Sequence, residues 1–224
     1  MDEFIFRNAT IDDIPFLVDT IIEAEKSGTQ VLSYTEIFGL SEDETRQYIS
    51  EMFLEEIDGC EFSVSSFLIA EKNGTTAASI GAWVEGSEGI SSAVLKGNLL
   101  NFILPKKCIE KAVNFSSVLR ELNIECVPGS IQIGVVYVFP ASRGKNLVPL
   151  LIDKQLAALK ENDPAVEEAF VQVFSNNLPA ISAYKKAGFS IYLTKESSNK
   201  SILTLLPSDK KILMRRELST TKII

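Results

Sequence analysis

Apolar positions along this chain recur with two periods, and the places where one gives way to the other outline the elements. Phe4-Ile5-Phe6-Arg7 predicts a short opening strand. Thr10, followed by Asp12 and Asp13, starts a helix in whose first turn Pro15 is harmless, because its missing N–H has no intrahelical partner there. Ile14, Leu17, Val18, Ile21 and Ile22 give that helix one apolar face, and Ser27-Gly28 breaks it. Ser41-Glu42-Asp43-Glu44 matches a capping box, and Tyr48, Ile49, Met52, Phe53 and Ile57 form the stripe of the helix it opens. Residues 67–71 and 77–85 read as two antiparallel strands joined by a tight hairpin at Lys72-Asn73-Gly74-Thr75. Gly86 to Gly89 close the second of them. An insert over about 90–125 follows, with one amphipathic helix marked by Cys108, Ala112, Phe115, Val118, Leu119 and Leu122.

From Ile131 the pattern becomes a βαβαβ run: strand 131–139, loop 140–145, helix 147–160, strand 169–174, short helix 178–186 and strand 189–195. A last strand lies at 202–206 or at 211–214, with Pro207-Ser208-Asp209 as the turn between these segments. We read residues 1–216 as one domain and 217–224 as a tail, since 224 residues fall below the size at which cores divide.

Composition narrows the class. Hydrophobic residues at 46% and charged residues at 23% are those of a folded globular chain. The formal net charge of -8, without a basic stripe, opposes a phosphate backbone, so nucleic acid is not expected as a partner. The acidity suits a cationic acceptor, and it equally serves solubility alone. Cys60, Cys108 and Cys126 lie far apart without metal-ligand spacing, which predicts free thiols in a reducing cytoplasm and no metal. Asp2 and Glu3 replace the basic start of an export signal, and no stretch nears the ~18 apolar residues of a membrane span. Neither export nor membrane attachment is expected.

The chemistry is concentrated in Val135-Val136-Tyr137-Val138-Phe139-Pro140-Ala141-Ser142-Arg143-Gly144-Lys145-Asn146-Leu147. A buried strand enters a loop of small and basic residues and a helix starts at once, so unpaired amides and the positive end of a helix dipole converge. Such a place attracts a pyrophosphate, although an exposed Arg-Gly-Lys turn gives the same string. Asn146 either adopts a left-handed backbone or caps the helix.

The next unit is Phe174-Ser175-Asn176-Asn177-Leu178-Pro179-Ala180-Ile181-Ser182-Ala183-Tyr184-Lys185-Lys186-Ala187-Gly188-Phe189. Together the two stretches resemble the GNAT N-acetyltransferase superfamily. Its later signature, Asn-x-x-Ala-x-x-x-Tyr-x-x-x-Gly-Phe, matches at Asn177, Ala180, Tyr184, Gly188 and Phe189. Its earlier one, Arg/Gln-x-x-Gly-x-Gly/Ala, departs at Asn146 and at Val148, whose β-branched side chain stands where a small residue lets the backbone approach the phosphates. The resemblance implies an α/β (α+β) fold: a mixed, mostly antiparallel central sheet of six to seven strands, flanked by helices and splayed between strands four and five.

It also implies acetyl-CoA as acyl donor and direct attack of an acceptor amine on the thioester. Backbone groups of Tyr137 and Val138 then hold the pantetheine, and Arg143, Gly144, Lys145, Asn146, Leu147 and Val148 hold the pyrophosphate. Asn177 contacts the cofactor arm, besides capping its helix, and Tyr184 protonates the departing thiolate. Gly188 ends the helix in a left-handed conformation.

An ammonium of pKa about 10.4 must lose a proton before it attacks, and the chain contains no histidine. A carboxylate is therefore required. Glu85 at the end of the third strand is the first choice, because related folds often use that position, ahead of Glu36 and Glu88. Tyr34, Ile37 and Phe38 offer an aromatic wall for a small-molecule or peptide amine, and equally a piece of core. Monomer and homodimer both remain open. So do two other readings: a non-enzymatic acyl-CoA-binding or regulatory module of the same fold, and an unrelated α/β protein in which the two strings coincide by chance.

Overall fold

A computed structural model describes residues 4–218; Asp2, Glu3 and positions 219–224 of the expected tail lie outside the described residues. Strand β1 (Ile5–Asn8) leads through a 3-10 turn into helix α1 (Ile14–Lys26). Helices α2 (Ser33–Phe38) and α3 (Glu42–Leu54) precede the hairpin of β2 (Phe67–Lys72) and β3 (Thr75–Val84). Then come α4 (Ser92–Ile103), α5 (Lys106–Val113) and α6 (Ser116–Arg120). The chain finishes with β4 (Ile131–Val138), α7 (Leu147–Asn162), β5 (Glu168–Phe174), α8 (Leu178–Lys186), β6 (Ser190–Glu196) and β7 (Lys210–Glu217).

The local signals act as their chemistry requires. The Ser41 and Glu44 side chains satisfy each other's backbone amides at 3.1 and 2.8 Å, which starts α3. Asn73 and Gly74 both have positive φ, 52° and 74°, the pair needed by the turn that matches strand twist. Asp13 receives the Thr10 amide at 2.8 Å and both ends of the Arg7 guanidinium at 2.7 and 2.8 Å, while Arg7 also donates to Glu71 at 2.8 Å. That network ties β1, β2 and the entry to α1 together, and the Arg7 hydrogen bonds hold the Asp13 carboxyl below its ordinary range.

Two expectations are corrected and one left open is decided. The single helix of the insert is three, α4 to α6, because the apolar spacing from Cys108 to Leu122 continues across a break at Asn114 and Phe115. The final strand is β7, and Ile202 to Leu206 is no strand: Lys200–Thr204 forms a 3-10 turn burying Ile202, Leu205 and Leu206 at helical spacing. Glu217, placed in the tail, still pairs with Glu168 in the sheet.

Seven strands form one sheet in the order β1-β2-β3-β4-β5-β7-β6, antiparallel except for β4 and β5. Helices α7 and α8 pack on one face around Leu151, Ile152 and Ile181; α1, α3 and α4 cover the other around Leu17, Ile49, Phe53 and Leu99. The parallel pairing is short. It runs from Ile131 opposite Ala169 to Ile133 opposite Val171 and then stops, while β4 continues to Val138 and β5 turns to β7. An extra residue in β4, Gly134, lies where the β3 register jumps between Gly81 and Ala82, and such a bulge bends its strand. A Cβ on Gly134 would sit 2.6 Å from the Trp83 ring, so only glycine lets the indole pack beneath the bend. The sheet therefore opens between its fourth and fifth strands.

Candidate active site

The opening holds two adjoining cavities. The larger, about 670 Å³, runs from Tyr137 and Val138 on β4 past Ser142, Gly144 and Asn146 to Pro179 and Tyr184 on α8. Its floor is the β4–α7 junction. Pro140–Ser142 makes a 3-10 turn, and Gly144 and Asn146 then take left-handed conformations, φ 78° and 58°, which turn the chain sharply into α7. Asn146 acts through its backbone, since its side chain makes no capping hydrogen bond. The first amides of α7 lack intrahelical acceptors, and Lys26, Arg143 and Lys186 add positive charge around the same space.

One loop residue is placed differently from the expectation. Lys145 is not among the residues lining the cleft; its Nζ lies 5.8 Å from the centre of the Phe4 ring. Val148 lines the cleft, as expected, and is half-buried against the core under α7. Arg143 turns its Nε to the Val138 carbonyl at 3.2 Å.

Asn177 begins α8, accepting the Ala180 amide at 3.2 Å and donating to the Ser27 hydroxyl at 3.1 Å. Asn176 donates to the Ser27 carbonyl at 3.2 Å, so the end of β5 is tied across the opening to the end of α1. Gly188, φ 85°, ends α8 as expected. Tyr184 is only 7% exposed, and its ring packs 6.3 Å from that of Phe189. Its hydroxyl makes no hydrogen bond among the described residues, and burial pushes its pKa up, so the phenol keeps its proton.

Val136, Asn177, Ala180 and Tyr184 line both cavities. The second, about 320 Å³, continues from Tyr184 to the opposite side of the sheet, where Glu25, Glu61, Lys96 and Lys211 meet. Glu25 is half-buried on the cavity wall, and burial raises its carboxyl pKa against the attraction of Lys96. Lys96 donates to Glu61 at 2.5 Å. Burial pulls its pKa down, but the charges of Glu61 and its neighbours outweigh that and hold it above the ordinary lysine range.

The carboxylates expected as bases lie elsewhere. Glu85 lines neither cavity; it is 4% exposed and accepts from the Ser92 amide at 3.0 Å, the Ser92 hydroxyl at 2.6 Å and the Trp83 indole at 3.1 Å. Its charge serves the N-terminus of α4. Glu36 and Glu88 are exposed and line neither cavity. The aromatic wall is core: Tyr34 and Phe38 stack at 5.9 Å and pack with the α1 and α3 cluster, and Ile37 packs with Val118 and Ile202. Glu25 carried a signal in the sequence, since it follows Ile21 and Ile22 by four and three positions and so lies on the buried side of α1. Lys211, next to the wholly apolar Ile212, Leu213 and Met214, carried none.

Comparison with known proteins places this geometry. Residues 34–189 match the model of the Acetyltransferase (GNAT) family. Among solved structures, an N-acetyltransferase from Staphylococcus aureus Mu50 superimposes with a TM-score of 0.64 at 17% identity, over 94% of this chain and 99% of that one. An agmatine N-acetyltransferase gives 0.57 at 15% identity, over 97% and 100%. A polyamine N-acetyltransferase from Drosophila melanogaster gives 0.56 at 13% identity, over 96% and 100%. At these identities the structures share the fold. No curated protein matches the sequence.

Proposed function

Because this chain belongs to the GNAT family of acetyltransferases, we propose that it transfers an acetyl group from acetyl-CoA to an amine, the chain from β1 to the end of β7 acting as a single acyltransferase unit. The observation that carries this reading is the position of Tyr184, whose unbonded phenol stands where a cleft suited to a phosphorylated arm joins a cavity lined by carboxylates.

The residues fit the cofactor. Two left-handed residues and the amide-rich start of α7 form an anion cradle, and a Cβ added at Gly144 would meet nothing within 4 Å, so a ligand has room to approach the backbone. Tyr137 and Val138 present the edge of β4 left unpaired by the splay, which suits an amide-bearing pantetheine arm. Acetyl-CoA, when bound, supplies the acetyl group as a thioester and departs as a thiol. Tyr184 gives a proton to the sulfur as it leaves, a task for which a phenol kept protonated by burial is suited. Glu25 takes a proton from the acceptor ammonium, directly or through water, and its raised pKa brings it nearer the working pH of a base. Glu85, held by three donors, is not proposed as that base.

Thermal unfolding with acetyl-CoA tests the reading. A ligand at ~100 times its Kd stabilises the fold by about 2.7 kcal/mol, so a clear rise in Tm is expected, together with thiol release when an accepted amine is added. A Tm unmoved by millimolar acetyl-CoA contradicts it.

A further inference from the structure

The four charges of the smaller cavity are not equivalent. Lys96 and Glu61 are joined at 2.5 Å, and the Tyr34 hydroxyl donates to the same Glu61 oxygen at 3.1 Å. Lys96 also rests over the rings of Tyr34 and Phe62, at 5.4 and 5.7 Å. This pair is internally satisfied. Glu25 and Lys211 are different: they attract each other, but neither forms a salt bridge within 4.0 Å among the described residues, and the Lys211 ammonium lies 5.1 Å from the centre of the Phe174 ring. Both face the cavity that begins at Tyr184. Beside Glu25 lies the buried hydroxyl of Ser33, 4% exposed, whose hydrogen bond favours the charged carboxylate.

A carboxylate and an ammonium, each without a salt bridge and both lining one small, partly open cavity, suit a ligand with both opposite charges. A polyamine brings several positive charges against Lys96 and Lys211, and a bare carboxylic acid faces Glu25 and Glu61, so each leaves one buried charge without a partner. The volume, about 320 Å³, is at the small end of ligand sites, which run from about 300 to 1,000 Å³. Resting on the transferase reading above, we propose that the acceptor is a small zwitterion, an amino acid with a free carboxylate, whose ammonium is placed by Glu25 and whose carboxylate is held by Lys211. Burial raises the Glu25 pKa and lowers that of Lys211, the cost of two desolvated charges that such a ligand relieves together.

The chemistry balances. A bond from nitrogen to the acetyl carbon forms as the carbon–sulfur bond breaks. The ammonium gives up two protons, one through Glu25 to solvent and one that restores the Tyr184 phenol after it has protonated the sulfur.

The test follows thiol release from acetyl-CoA with a panel of L-amino acids, each beside its own decarboxylated amine, and with spermidine. The expected result is an amino acid whose kcat/KM exceeds that of its decarboxylated partner by about tenfold or more, the factor that a lost charged partner commonly costs. Lys211→Met should then raise KM for the acid by about tenfold or more, leave the amine nearly unchanged, and be rescued by Lys211→Arg. Unfolding temperatures of both variants separate this from misfolding. Amines without a carboxylate turned over as well as the acids, or Lys211→Met weakening both alike, overturns the inference and leaves the transferase reading intact. No release from any compound, with no rise in Tm from acetyl-CoA, overturns both.

Discussion

Replacing Tyr184 by phenylalanine is expected to lower kcat by about 10²-fold or more while acetyl-CoA binding stays roughly unchanged, because a positioned general acid contributes about 10² to 10⁴. The ring is held by Phe189 and the α8 core, and phenylalanine keeps that packing. The hydroxyl bonds to nothing among the described residues, so removing it leaves no buried group unpaired and stability should hardly change. Steady-state kinetics with calorimetric titration of acetyl-CoA separates the terms. A variant with full kcat removes Tyr184 from the chemistry.

Glu25→Gln is expected to have the next largest effect, with a sign in stability opposite to its sign in activity. As a base, Glu25 must be ionised, so wild-type kcat/KM should fall as pH drops through a pKa above the ordinary 4.5, and the variant should lose about 10²-fold together with that acidic limb. Stability runs the other way. Burial dominates over the attraction of Lys96 and Lys211, so the folded pKa lies above the unfolded one. Between the two values the folded state binds the extra proton, and stability falls as pH rises until the folded pKa is passed. At neutral pH the ionised carboxylate is therefore a net cost, and the neutral amide removes it. A variant slower but no less stable is the signature of a functional group; one that loses activity and Tm together reveals a structural carboxylate instead.

Much of the cleft proposed for the cofactor was legible in the sequence because its parts are contiguous. The strand, the Ser142 to Val148 loop and the start of α7 follow one another, and α8 runs over residues 178–186 as its Asn177 cap and Gly188 terminator predict. The capping box of α3 and the Asn73-Gly74 hairpin were equally local. What was not legible depends on distant contacts. Helix α2 is six residues long, too short for a period, and α4 spreads its apolar residues, burying only Leu99 among them below a tenth of its surface. The smaller cavity gathers Glu25 from α1, Glu61 from a loop, Lys96 from α4 and Lys211 from β7, and no spacing along the chain announces that meeting. Glu85 misled for the complementary reason. Its place at the end of β3 suited a base, yet the fold sets the N-terminus of α4 against it and consumes both oxygens. Val148 lines the cleft while part of its surface packs on the core under α7, a division that the loop motif alone does not specify.

The central claim is that the splay between β4 and β5 holds acetyl-CoA with its sulfur beside Tyr184. A crystal structure of the chain with coenzyme A measures this directly. Pyrophosphate density is expected against the amides of 142–148, with the pantetheine arm along Tyr137 and Val138 and the sulfur at the junction of the two cavities. Coenzyme A bound elsewhere, or its sulfur turned away from Tyr184 to solvent, contradicts it.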